Sequence, residues 1–209
     1  MLPLVLDLAR LRLVLVGNDE RAERRLALLD AAGAADLAVY AEAPSPALAL
    51  AAGARLVRRL PTTAELVAAH IVFIGDRNAA ESGRFAEAAR AGGALVHVED
   101  EPALSDVHAP AVLRRGDLLI AISTGGKSPG LARRIKRFLG TLFGGAWEGR
   151  LDELALLRRR WRDSGADAAT VAQWTAAWVA HQGWLPADDP LSAAAPSAGA
   201  ATPRPATRH

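Results

Sequence analysis

Val96-His97-Val98-Glu99-Asp100-Glu101-Pro102 is an apolar run that ends abruptly in consecutive carboxylates. A carboxylate at the C-terminal end of a strand in an open α/β sheet faces the crevice where ligands bind, and there it can take a proton as a hydride leaves the substrate. With Asp106 close behind, Asp100 stands among Glu99 and Glu101, and like-charge repulsion in such a cluster raises the pKa of one member. The competing reading is a solvated acidic turn. His97 and His108 flank the cluster and suggest metal ligation, against the plainer reading of hydrogen-bonded or surface imidazoles.

Thr124-Gly125-Gly126-Lys127-Ser128-Pro129 gathers backbone amides, hydroxyls and one ammonium ahead of a helical pattern. That combination suits an anion, with Arg133 and Arg134 downstream as further cations. An ordinary helix cap at Ser128 is the alternative. The third stretch is Gly17-Asn18-Asp19-Glu20-Arg21-Ala22, where a glycine sits directly after an apolar strand and before a helix. Such turns bring amides and a helix N-terminus to a pyrophosphate, but the full glycine pattern is absent, so a tight turn with an Asn or Asp cap competes. Asn18 tolerates the left-handed conformation better than most residues. A carboxylate at Asp19 about 4 Å from a phosphate charge costs roughly 4 kcal/mol at an effective dielectric of about 20, which Arg21, Arg24 or Arg25 would have to offset.

The elements that must hold these groups follow from periodicity. Leu11 to Val16, Leu37 to Tyr40, Arg55 to Arg58, His70 to Ile74 and Ala94 to Val98 read as short apolar strands. Between them, helical spacing from Glu20 to Ala32, near Ala47 to Ala52, from Thr62, and from Asn78 to Ala91 gives the rhythm of a parallel α/β sheet. The pattern then changes: Ala109 to Arg114 and Leu118 to Ser123, separated by Arg115-Gly116-Asp117, predict a hairpin appended to the sheet. Leu131 to Leu139 predicts a helix with a basic face. Beyond Gly145 lie all five tryptophans, on two predicted helices, Leu151 to Arg162 and Ala168 to His181. Large apolar residues there point to packing against another subunit or the main domain. In the run Arg158-Arg159-Arg160-Trp161-Arg162 a solvated or interfacial helix face is weighed against an anionic partner. The stretch from Ala187 to His209 is rich in Ala, Pro, Ser and Thr and reads as a tail without fixed structure.

Read together, the segment from Val96 to Pro102, His108-Ala109-Pro110-Ala111 and Leu118 to Arg133 resembles the precorrin-2 dehydrogenase/sirohydrochlorin ferrochelatase family, the N-terminal module of sirohaem synthase. Leu2-Pro3-Leu4, Ala22-Glu23-Arg24-Arg25 and Ala32-Gly33-Ala34 match as well, so the resemblance runs from about Leu2 to Gly140. It implies a Rossmann-like NAD domain, a C-terminal helical dimerisation region, and oxidation of precorrin-2 to sirohydrochlorin with NAD⁺ as hydride acceptor. Many members also insert ferrous iron. The family's catalytic aspartate falls on Asp100. Cofactor contacts are expected at Gly17, Asn18, Glu20, Arg21, Ala41 and Glu42. The acetate and propionate groups of the tetrapyrrole are expected at Thr124, Gly125, Gly126, Lys127, Ser128 and Arg133. Three places depart from the usual pattern: the turn Gly17-Asn18-Asp19, the segment Ile74-Gly75-Asp76-Arg77-Asn78 where relatives show an Ala-Thr-Asp type of sequence, and His97 where Asn is usual. An iron-inserting enzyme without NAD use, or a non-catalytic tetrapyrrole- or nucleotide-binding protein, are the alternatives.

Composition bounds all of this. Cysteine is absent, which removes a disulfide framework, a thiolate metal site and a cysteine nucleophile. Redox chemistry must come from a bound cofactor or the substrate. Lys+Arg 25 against Asp+Glu 23 leaves a formal +2 and argues against a dedicated nucleic-acid binder. The opening residues lack a basic n-region and a cleavage site, and no uncharged run approaches the roughly 18 residues that span a bilayer, so a cytoplasmic protein without membrane contact is expected. The expected organisation is a Rossmann-like NAD-binding domain over 1–112, a hairpin and substrate-loop segment over 113–145, a helical region over 146–186 that makes a homodimer, and the tail over 187–209.

Overall fold

The computed structural model describes residues 2–185, so the expected tail at 187–209 lies outside the described residues. Two compact units divide the described residues: 2–110 with 124–128, and 111–123 with 129–185.

In the first unit the strands β1 (Arg12–Val16), β2 (Asp36–Tyr40), β3 (Leu56–Val57), β4 (Ile71–Ile74) and β5 (Leu95–Val98) form one parallel sheet in the order β3-β2-β1-β4-β5. All are short and mostly buried, as expected for strands covered on both faces. Along β1, Leu13 and Leu15 point to one core with Leu26, Leu29, Val39 and Leu48, while Val14 and Val16 point to another with Leu66, Val72, Ala86 and Val96. This alternation carries the helices α1 (Glu20–Ala31) and α2 (Pro46–Ala52) in the first core, and α3 (Thr63–Val67) and α4 (Ala79–Ala91) in the second.

Side-chain caps fix where these helices begin. Asp19 accepts from the Arg21 amide, Ser45 from Leu48, Asn78 from Glu81, and Thr62 and Glu65 exchange a reciprocal capping box. Left-handed glycines follow α1 and α4, at Gly33 (φ 78°) and Gly93 (φ 82°).

The predicted hairpin forms, as β6 (Ala111–Arg115) antiparallel to β7 (Leu118–Ile122), but as a separate two-stranded sheet and not as an extension of the parallel one. The reason lies at the outer edge of β5, which the following loop seals. Asp106 takes the Val96 amide on its carboxylate (3.1 Å) and donates its own amide to the Val96 carbonyl (2.8 Å), and the Ser105 hydroxyl accepts from the Val98 amide (2.9 Å). Those are the groups that a sixth strand would use.

In the second unit the hairpin is followed by α5 (Pro129–Leu142), α6 (Trp147–Asp163) and α7 (Ala168–His181). The tryptophans pack among themselves: Trp161 meets Trp174 edge-on at 5.7 Å, and Trp147 lies between Phe143 and Trp184. Arg158 joins α6 to α7 by donating to the Thr175 hydroxyl at 3.0 Å, whereas Arg159, Arg160 and Arg162 face solvent. On α5, Leu131, Phe138 and Leu142 remain exposed along one face. Among the described residues no helix is long and apolar enough to cross a membrane.

Candidate active site

The C-terminal ends of β1, β2, β4 and β5 gather the candidate residues of the first unit. At β1 the chain turns tightly at Gly17, whose amide donates to the Tyr40 carbonyl at 3.0 Å. A Cβ on Gly17 would stand 2.9 Å from the Ala22 Cβ and 3.0 Å from Asp76 Oδ1, so the glycine is required by how closely α1 and the β4 end approach the turn. Asn18 is not left-handed; Asp76 (φ 31°) and Asp100 (φ 60°) are the described non-glycine residues with positive φ. Asn18 instead acts as a staple. Its amide and side-chain Nδ2 donate to the Asp76 carboxylate at 3.0 and 3.2 Å, and its Oδ1 accepts from the Ala43 amide at 3.0 Å. Asp19, anticipated as a repulsive neighbour of phosphate, caps α1 through the Arg21 amide at 2.9 Å.

The two protein carboxylates thus hold amides that a glycine-rich turn offers to a pyrophosphate. A dinucleotide still fits the place on one count: beside the turn the guanidinium of Arg77 has buried Nε and Nη2 groups without a hydrogen-bond partner. Arg77 Nη1 donates to Glu42 at 3.1 Å, and the Arg77 side chain is only 7% exposed. Ala41 is buried, its amide bonded to the Val57 carbonyl, and Glu20 pairs with Arg24 in the first turn of α1.

Beyond β5 the chain turns at Glu99 and Asp100. Asp100 is held in the left-handed region, a conformation aspartate tolerates at some cost, and its Oδ2 lies 3.1 Å from Arg21 Nη1. Behind it Glu99 accepts from Arg25 Nε at 2.8 Å and from Arg25 Nη2, while His97 Nε2 lies 2.9 Å from the same Nη2 and His97 Nδ1 lies 2.9 Å from the Val107 carbonyl. The carbonyl fixes the proton on Nδ1, which leaves Nε2 to accept from the guanidinium. Burial pushes the Glu99 carboxyl up, but the polar neighbourhood of His97, whose Nε2 lies 3.6 Å away, and the charge and hydrogen bonds of Arg25 outweigh it and bring the pKa down to about 2.

The acidic run therefore does not behave as one repelling cluster. Glu99 is paired with Arg25, Asp100 with Arg21, and Asp106 with Arg90. None of these three partners adjoins the acids in sequence. His97 has both ring nitrogens engaged, His108 is exposed, and among the described residues no group of three His, Cys, Asp or Glu side chains is placed to hold a metal.

Of the expected tetrapyrrole contacts, the loop 124–128 clusters with the first unit, while Arg133 lies exposed on α5 in the second. Gly125 (φ 61°) and Gly126 (φ 80°) both need the left-handed region, and the loop closes through Ser128 N to Thr124 Oγ1 at 3.1 Å and Lys127 N to the Thr124 carbonyl at 3.1 Å. Lys127 points into solvent. Arg77 went unread as a site residue, although the departure at Gly75-Asp76-Arg77 marked the place. The pairing of Arg21 with Asp100 has no sequence signal, because 79 positions separate them.

Strand order and the crevice over β1 define a dinucleotide-binding domain of the Rossmann type. The model of an NAD(P)-binding family matches residues 4–111, and that of the central region of sirohaem biosynthesis proteins matches residues 115–141. The chain belongs to this NAD(P)-binding family. The siroheme synthase of Thiobacillus denitrificans is 36% identical over 157 residues, covering 74% of this chain and 32% of that protein. The siroheme synthase of Methylococcus capsulatus is 36% identical over 137 residues, covering 65% and 29% respectively. The chain therefore spans about a third of the length of these curated relatives. Among solved structures, one titled "SirC, precorrin-2 dehydrogenase" superposes with a TM-score of 0.71 at 22% identity, covering 90% of this chain and 93% of that one, and shows the same fold.

Proposed function

We propose that the protein oxidises precorrin-2 to sirohydrochlorin with NAD⁺ as hydride acceptor. The observation that carries this reading is Asp100: a carboxylate at the C-terminal end of β5, in a strained left-handed conformation, tied by Arg21 to the helix that begins at the cofactor turn. NAD⁺ supplies the hydride acceptor when bound. It lies over the turn at Gly17, Arg77 and Glu42 face it at the ends of β4 and β2, and Asp100 takes the proton that the substrate loses alongside the hydride. Lys127 attracts the substrate's carboxylates, with Thr124, Ser128 and the Gly125-Gly126 amides as hydrogen-bonding partners. The exposed face of Leu131, Phe138 and Leu142 on α5 supports a homodimer made through the second unit.

A second reading is favoured by the amides of Asn18 and Arg21, which are already bonded to Asp76 and Asp19. In it the chain inserts ferrous iron, its substrate metal, into sirohydrochlorin without using NAD⁺, and Asp100 accepts the pyrrole protons. Absorbance spectra of precorrin-2 incubated with the full chain, with and without NAD⁺, decide between them. NAD⁺-dependent formation of sirohydrochlorin is expected. Its absence, with iron insertion into supplied sirohydrochlorin retained, would replace the first reading by the second.

A further inference from the structure

Arg77 is the least satisfied buried cation of the site. Its side chain is 7% exposed, its Nη1 donates to Glu42 at 3.1 Å, its Nε stands 4.0 Å from Asp76 Oδ1, and its Nε and Nη2 are buried without a hydrogen-bond partner. Unpaired N–H groups on a buried guanidinium are costly enough to require an explanation. Nε and Nη2 lie on one edge of the planar group, the edge that meets two oxygens of a single carboxylate or phosphate.

Topology says which anion. β1 lies between β2 and β4, Glu42 follows β2, and Arg77 follows β4, so the Arg77–Glu42 bridge passes over the C-terminal end of β1 beside Gly17 and Asn18. In an open parallel sheet this is where the phosphates of a dinucleotide cross. In this chain a phosphate there meets the Asp19, Glu42 and Asp76 carboxylates and finds the Asn18 and Arg21 amides already bonded. The arginines of α1 are committed as well: Arg21 to Asp100, Arg24 to Glu20 and Arg25 to Glu99.

We propose that Arg77 binds a phosphate group of the dinucleotide through its Nε–Nη2 edge, in place of the amides of a glycine-rich turn. Glu42, whose side chain is 54% exposed, accepts from Nη1 and not from the Nε–Nη2 edge, and its turning to solvent frees the guanidinium to swing that buried edge toward the phosphate. The inference rests on the dinucleotide reading of the crevice and adds to it the residue that carries the phosphate charge.

Calorimetric titration of the full chain with NAD⁺ and with NADP⁺ tests it, without turnover. Arg77→Met should weaken binding about tenfold to a hundredfold, as expected for the loss of a charge-assisted bidentate contact. Arg77→Lys, which keeps the charge and loses the fork, should fall between Arg77→Met and the unmodified chain, and it serves alone if Arg77→Met does not fold. Equal losses for both dinucleotides place the contact at the pyrophosphate, and a loss confined to NADP⁺ places it at the ribose 2′-phosphate. Dinucleotide affinity unchanged by both substitutions would overturn the assignment of Arg77 alone. No binding of either dinucleotide by the unmodified chain would overturn the dinucleotide reading, and this inference with it.

Discussion

Arg21 Nη1 and Asp100 Oδ2 meet at 3.1 Å, joining the first turn of α1 to the loop after β5. The pair reaches from the cofactor turn to the proposed base, and both side chains are largely exposed, so its role is to place Asp100 more than to hold the fold together. Asp100→Asn should lower precorrin-2 turnover by about 10²- to 10⁴-fold while NAD⁺ affinity stays nearly the same. Arg21→Ala should reduce turnover less, be partly rescued by Arg21→Lys, and change unfolding stability by no more than about 1 kcal/mol. Steady-state kinetics beside denaturant unfolding check both. A large stability loss with unaltered turnover in Arg21→Ala would contradict the positioning role.

Glu99 gives a pH-dependent share of stability. Its folded pKa is brought from 4.5 down to about 2, so the contribution is complete above about pH 4.5 and drains away as pH falls toward 2. With the carboxylate mostly buried against Arg25, the share is at most on the order of 3 kcal/mol. Unfolding free energies of the wild type and of Glu99→Gln, measured between pH 2 and 7, should differ most at neutral pH and converge in acid. Parallel curves would show that Glu99 is not the group responsible.

Two glycines should respond oppositely to alanine. At Gly17 the added methyl meets Ala22 Cβ at 2.9 Å and Asp76 Oδ1 at 3.0 Å, and Gly17→Ala should destabilise by about 1–3 kcal/mol and disturb the turn. Gly83 lies within α4, at ordinary helical dihedrals, and a Cβ there meets nothing within 4 Å. Gly83→Ala should stabilise by about 0.5–1 kcal/mol, because it removes backbone freedom from the unfolded chain. Thermal unfolding midpoints that fall for Gly17→Ala and rise for Gly83→Ala are the expected pattern.

Much of the architecture was legible in advance, since apolar runs of strand length alternating with capped helical spacing admit few arrangements besides a parallel sheet. Leu13 and Leu15 against Val14 and Val16 show why: a strand buried on both faces needs continuous hydrophobicity, and that leaves a clear mark. The hairpin was read at the right place, and it forms a two-stranded sheet of its own. What detached it is the hydrogen bonding of Ser105 and Asp106 onto β5, polar contacts over seven to ten positions that no periodicity records.

The sequence by itself determined the kinds of groups available: no thiol, a carboxylate closing a strand, a glycine after β1, and an anion-suited loop before α5. Only the tertiary structure decided which charges face each other. Glu99, Asp100 and Asp106 are neighbours in the chain, yet each meets an arginine from a helix, and Asn18 spends on Asp76 the amide that a cofactor would have used. Arg77 acquires its meaning in the same way, because the strand order brings the ends of β2 and β4 together over β1. Composition supplies charge, but Coulombic and hydrogen-bond energies depend on distance and burial, and those are properties of the fold.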